Sequence, residues 1–90
     1  MDMPVEIRSE PTPNPNARKF TLNRKVIEHG SSTFHAGGEI ANSLATKLFA
    51  IKGVKSLFFL NNFISVSKDQ SVSWDIISPK VEEVLKGHFG

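Results

Sequence analysis

The chain has 90 residues, 39% apolar and 22% charged, with seven Phe, one Trp and no Cys, and eleven Lys and Arg against nine Asp and Glu leave a formal charge of +2. This length suits one small domain over 1–90, and the missing cysteines exclude disulfides, thiolate catalysis and any thiolate-held metal site on this chain acting alone. No apolar run reaches the roughly 18 to 20 residues of a membrane span, the opening MDMPVE lacks a signal-peptide layout, and the charge is too small and scattered for a nucleic-acid footprint, so a cytoplasmic protein with no membrane and no nucleic-acid partner is expected.

Val5 and Ile7 alternate with Glu6, Arg8 and Glu10, the period-two pattern of a strand over about 4–10. Pro11, Pro13 and Pro15 then donate no amide hydrogen and push their predecessors into extended geometry, making PTPNP a stiff connector. Phe20 and Leu22 share one face of a second strand, 17–22, with Lys19 and Thr21 on the other, and the two strands should pair as a wide antiparallel hairpin. Residues 23–38 show no long period and read as a loop containing one short extended piece.

Ile40, Ala41, Leu44, Ala45, Leu48 and Phe49 recur at helical spacing, giving an amphipathic helix over about 39–51 that stops near Gly53. VKSLFFL and FISVSK, joined by Asn61 and Asn62, predict strands 54–60 and 63–68 in a second hairpin. Ser73 is a good N-cap for a last helix over 73–87 carrying Trp74, Ile77, Val81, Val84, Leu85 and His88. Pro79 leaves two possibilities: a helix bent at the proline, or a cap at Ser78 preceded by a separate turn. The order ββαββα predicts an α+β fold, an antiparallel sheet of two hairpins with two helices packed on one face.

Little in the chain points to catalysis. His29, His35 and His88 lack metal-ligand spacing, no Ser has a His and acid nearby, and HAGGE is too short for a phosphate loop. Glu82 and Glu83 fall on the solvent side of the last helix. The protein is therefore not expected to be an enzyme. Two features suggest contact surfaces. Adjacent strand residues face opposite ways, so only one of Phe58 and Phe59 can enter a one-sided core, and the other needs cover from Phe34 in the 23–38 loop or from a partner. Arg18, Lys19, Arg24 and Lys25 are either scattered surface charge or a shallow site for an acidic group framed by the Asn-Pro loop.

TPNPNARKF, then LFAIKGVKSLFFLNNFISVSK, then Trp74 and PKVEEVL, occur in an order that resembles the N-terminal domain of the Nfu iron-sulfur scaffold proteins across nearly the whole chain. The resemblance implies a role in iron-sulfur cluster assembly or delivery. In that family a second domain bearing Cys-X-X-Cys holds the cluster, so this chain would have no cofactor of its own and would meet a cluster only through a Cys-bearing protein, a Cys-X-X-Cys scaffold or an iron-sulfur client. The chain departs from the family's usual Phe-Gly-X-Asp turn, with Asn61 and Asn62 in its place, and no family role is carried over there. The residues proposed to contact a partner are Thr12, Asn14, Asn16, Arg18, Lys19, Phe20, Phe59, Asn61 and Asn62. The Asn-Pro loop could equally be a hairpin brace, and a regulatory domain that binds an acidic or phosphorylated peptide at that loop is the competing function.

Overall fold

Along the chain run β1 (Ile7–Pro11), β2 (Ala17–Leu22), β3 (Ser31–His35), α1 (Ser43–Phe49), β4 (Val54–Leu60), β5 (Phe63–Lys68) and α2 (Trp74–Phe89). The structure is a computed structural model and describes residues 4–38 and 40–89. Its strands make one antiparallel sheet in the order β1-β2-β5-β4-β3. The two hairpins expected from the sequence sit side by side, and the fold is α+β.

Strands β2, β4 and β5 occupy the residues that their alternating pattern marks. Register pairs Phe20 with Ile64 and Ile64 with Phe59, which lines the three up across one face of the sheet. All three have 0% exposure. Leu22, Leu57 and Val66 extend this face, and Leu44, Leu48, Ile77, Val81 and Leu85 of the helices close it. Losing either phenylalanine ring from such a site costs about 3 to 5 kcal/mol.

Three elements differ from the sequence reading. Strand β1 starts at Ile7 rather than residue 4, although Val5 is in the core. The reason is Asn23, just past the end of β2: its amide donates to the Glu6 carbonyl at 3.2 Å and its Oδ1 accepts the Glu6 amide at 3.1 Å, so a side chain takes over from the strand ladder. Strand β3 is a paired edge strand, Ser31↔Leu60 through His35↔Ser56, within the segment read as a loop. Its sequence SSTFH has one large apolar residue, Phe34, too few to show a period.

Helix α1 begins at Ser43 because Asn42 caps it, its Oδ1 accepting the Ala45 amide at 2.9 Å. Ile40 packs against the core ahead of that cap, and the expected starting residue, Glu39, lies outside the described residues. Helix α2 runs unbroken through Pro79, which settles the two possibilities at that residue in favour of one helix. Ser73 is its cap: the hydroxyl accepts the Asp75 amide at 3.0 Å and the carbonyl accepts Ile76 and Ile77 at 3.1 Å. At the far end Arg24 Nη1 donates to the Phe89 carbonyl at 2.6 Å.

Gly53 turns the chain from α1 into β4 with φ +100, and its carbonyl accepts the Asp69 amide at 2.7 Å. A Cβ there would lie 2.9 Å from Val72 Cγ2 and 3.3 Å from Ile77 Cδ1. Gly53→Ala is therefore expected to lower stability by about 1 to 3 kcal/mol through backbone strain and the added clash. Urea unfolding checks this, and an unchanged midpoint would contradict it.

Candidate functional site

The Asn-Pro loop is tied together by its own side chains. The Thr12 hydroxyl proton is shared between the carbonyls of Asn14, at 2.9 Å, and Ala17, at 3.0 Å, and the same oxygen accepts the Asn14 amide at 3.2 Å. Asn14 Oδ1 accepts the Asn16 amide at 2.9 Å, and the Ala17 amide closes the turn on the Asn14 carbonyl at 3.0 Å. This is the side-chain mimicry of a turn that Asn and Thr supply where prolines lack amide donors. The loop is then anchored outward. Asn16 accepts the Lys68 amide at 2.8 Å through its carbonyl and Lys68 Nζ at 3.2 Å through Oδ1.

Trp74, the first residue of α2, joins this loop to the sheet. Its Nε1 donates to the Pro15 carbonyl at 2.9 Å, and its ring lies 6.4 Å from that of Phe20. Two cations flank the indole, the Arg18 guanidinium at 5.9 Å and Lys68 Nζ at 5.7 Å from the ring centroid. Arg18 pairs with Val66, so Lys68 two residues on is its diagonal neighbour on the same sheet face. Beyond Lys68, the backbone amide and hydroxyl of Ser71 donate to the Asp69 carboxylate at 2.9 and 2.8 Å and hold its pKa below the usual carboxylate value, with Lys55 and Lys68 adding to the effect.

The opposite face of the sheet carries a different surface. Phe58 and Phe63 point away from the helices, 6.2 Å apart between ring centroids, and Lys19 Nζ stands 4.4 Å from the centre of the Phe63 ring. Leu60 beside them is 37% exposed. Ser56, Ser65 and Ser67 fill positions around them in register. No core residue among the described ones comes from this face. Phe34 does not cover it, since that ring packs edge-on against Phe59 at 5.2 Å, on the helix side.

The nine residues named from the sequence therefore do not meet at one place. Phe20 and Phe59 have 0% exposure and belong to the core, which corrects their reading as contact residues. Thr12, Asn14 and Asn16 lie with Arg18 at one end of the sheet. Asn61 and Asn62 are at the other end, where Asn61 takes φ 52, its carbonyl accepts the Val26 amide at 2.7 Å, and Asn62 exchanges bonds of 2.8 and 3.1 Å with the backbone of Leu22. Lys19 alone of the nine lies beside the outward aromatics. The sequence reading raised Phe58 as one of two candidates for an outward contact and missed Phe63, Leu60, Lys68 and Trp74; the alternation from Phe63 onward was the signal available. Among the described residues no three His, Cys, Asp or Glu side chains converge as a metal site, and no helix is long and apolar enough to cross a membrane.

Comparison with known proteins adds to this geometry. A family model described as the N-terminal part of the scaffold protein Nfu/NifU matches residues 7–90. A NifU-like protein of Schizosaccharomyces pombe is 44% identical over 88 residues, which are 94% of this chain and 34% of that one. An NFU1 iron-sulfur cluster scaffold homolog, mitochondrial, of Drosophila persimilis is 35% identical over 85 residues, 92% of this chain and 30% of its own. The solution structure of a NifU-like protein from Saccharomyces cerevisiae superposes with TM-score 0.82 at 27% identity, covering 92% of this chain and 76% of that chain. The chain thus spans between about a fifth and a third of the length of the curated relatives it matches.

One titration can be read from the helix pair. His88 of α2 has Nδ1 3.4 Å from Lys47 Nζ of α1, and burial, then the Lys47 charge, lower its pKa from the ordinary imidazole value. The unfolded chain therefore takes up this proton more readily than the folded one. The stability concerned is fully present above about pH 6.5 and is lost as pH falls through the folded value. Thermal unfolding followed from about pH 7 down to about pH 5 should show a falling midpoint, with His88→Gln flattening the fall; an unchanged fall in that variant would contradict the assignment.

Proposed function

Because the chain belongs to the Nfu/NifU N-terminal family, we propose that it acts in the cytoplasm as a non-catalytic docking domain for iron-sulfur cluster assembly or delivery, holding a protein that carries the cluster rather than the cluster itself. The cluster is then cargo of the partner. Clusters are held by Cys thiolates, in some centres with two His in place of two Cys, and this chain has no Cys and three dispersed His. The partner class is accordingly a protein with a Cys-X-X-Cys site, either a scaffold or a client.

The observation that carries this reading is the uncovered face of the sheet. Phe58, Leu60 and Phe63 offer apolar area on a rigid support, and Lys19 over Phe63 adds a cation at the same spot. Aromatic anchors ringed by small polar residues are the arrangement in which a few side chains supply most of the binding energy. Docking of this kind serves cluster transfer by raising the effective concentration of the partner's thiolates near a recipient, without new chemistry on the docking domain.

Amide shifts of the labelled chain on titration with a purified Cys-X-X-Cys scaffold domain test the proposal. Changes should centre on residues 19, 58, 60 and 63, and Phe58→Ser with Phe63→Ser should weaken binding at least tenfold. That pair of changes removes two half-buried rings as well as their mutual contact and should lower stability by about 2 to 4 kcal/mol, so binding is compared per folded molecule, with the fold checked by circular dichroism. Anaerobic loading of the mixture should leave cluster absorbance with the scaffold after separation. Shifts confined to the helical side, or a cluster retained by this chain alone, would contradict the reading.

A further inference from the structure

Arg18 is half-buried, yet among the described residues none of its N–H donors meets a hydrogen-bond acceptor and it makes no ion pair; its Nε is fully buried and unsatisfied. A buried donor left this way costs about 1 to 3 kcal/mol. The guanidinium is held only by its position over Trp74. Its diagonal neighbour is a second cation, Lys68, over the same ring. Like charges at such positions repel. The acid next to Lys68 offsets part of its charge, but the Asp69 carboxylate is engaged by Ser71 and by Lys55, 4.0 Å away, and makes no ion pair with Arg18 or with Lys68. The other nearby acid, Asp75, is an exposed residue of the first turn of α2.

We infer that this corner is a carboxylate-binding site, in which Arg18 and Lys68 take an acidic side chain from an extended segment of a partner protein. The donors suit that ligand. Lys68 Nζ already gives protons to Asn16 Oδ1 at 3.2 Å and to the Asp69 carbonyl at 3.3 Å, which fixes the ammonium in place and leaves one proton to offer. Arg18 adds the planar fork that matches the two oxygens of a carboxylate. A fork and one further proton satisfy a carboxylate but leave a phosphate, with more oxygens and more charge, under-bonded. An apolar wall is at hand: the half-buried Trp74 ring lies under the cations, and the exposed Pro15 is bonded to it, so both can pack against the residues beside a bound acid. The loop that carries these prolines is braced by its own hydrogen bonds, so little order has to be gained on binding. The site lies on the helix side of the sheet, away from Phe58 and Phe63, and does not depend on the partner's carrying a cluster.

Trp74 is the one tryptophan of the chain, so its fluorescence, together with its Nε1–H resonance, reports directly on this corner. The probes are a short Glu-rich peptide, acetate and inorganic phosphate, each at low and high salt. A saturable change with the peptide, weaker by at least tenfold with acetate and weakened by salt, is the expected result. Arg18→Gln and Lys68→Gln should each reduce peptide affinity at least tenfold, Arg18→Lys should not restore it, and Lys19→Gln on the other face should leave it unchanged. Circular dichroism of each variant confirms that it is folded, and the two independent variants cover the case in which one is not. The inference is overturned if neither carboxylate probe saturates, if phosphate binds more tightly than both, or if folded Arg18→Gln and Lys68→Gln keep full affinity. Acetate binding as tightly as the peptide overturns the assignment to a polypeptide.

Discussion

A five-stranded sheet with helices on one side obliges every strand to turn its core residues the same way, and the pairing of β2 with β5 enforces this. These strands belong to different hairpins, so no tight turn sets their register. What sets it is the row Phe20, Ile64 and Phe59, which enters the core only in one alignment. A slip by one residue would turn Ile64 and Val66 to solvent and bring Ser65 and Ser67 inside. The same alignment brings Arg18 next to Lys68 and puts Lys19 beside Phe63. Both surfaces considered for binding are thus consequences of how the core closes.

The Asn-Pro loop shows how a short segment can brace a fold and shape a surface together. Three prolines remove amide donors and limit the backbone, and the side chains of Thr12 and Asn14 bond the backbone groups that remain. Asn16 then holds Lys68, and Trp74 holds Pro15. The result is one connected corner containing the end of β1, the start of β2, the end of β5 and the first residue of α2. Rigidity here means that Arg18 and Lys68 are presented in a fixed spacing, although neither lies in the loop itself.

The two faces of the sheet differ in chemistry. Helices α1 and α2 cover the central part of one face, as expected for a domain of this size with a single core. The other keeps aromatic area in a setting of serines and threonines. Phe58 and Phe63 shelter one another there, and Lys19 supplies both charge and a contact with the ring worth about 0.5 to 1 kcal/mol. The chain belongs to the Nfu/NifU N-terminal family and contains no Cys.

The amino-acid sequence by itself determined the strands 17–22, 54–60 and 63–68, the existence of both helices, the family and the absence of cysteine, because alternation, helical spacing, motif order and residue inventory are all local properties of the chain. It also required that one of Phe58 and Phe59 face away from the core. Only the tertiary structure decided which one, and with it that Phe59 and Phe20 are core rather than contact residues. It likewise decided that SSTFH is a strand, since a segment with one apolar residue becomes one by pairing with β4, and that Arg18 and Lys68 both stand over the Trp74 ring. Those outcomes depend on register and on contacts between residues far apart in the chain, and a period read within one segment carries no information about which distant segment will cover it.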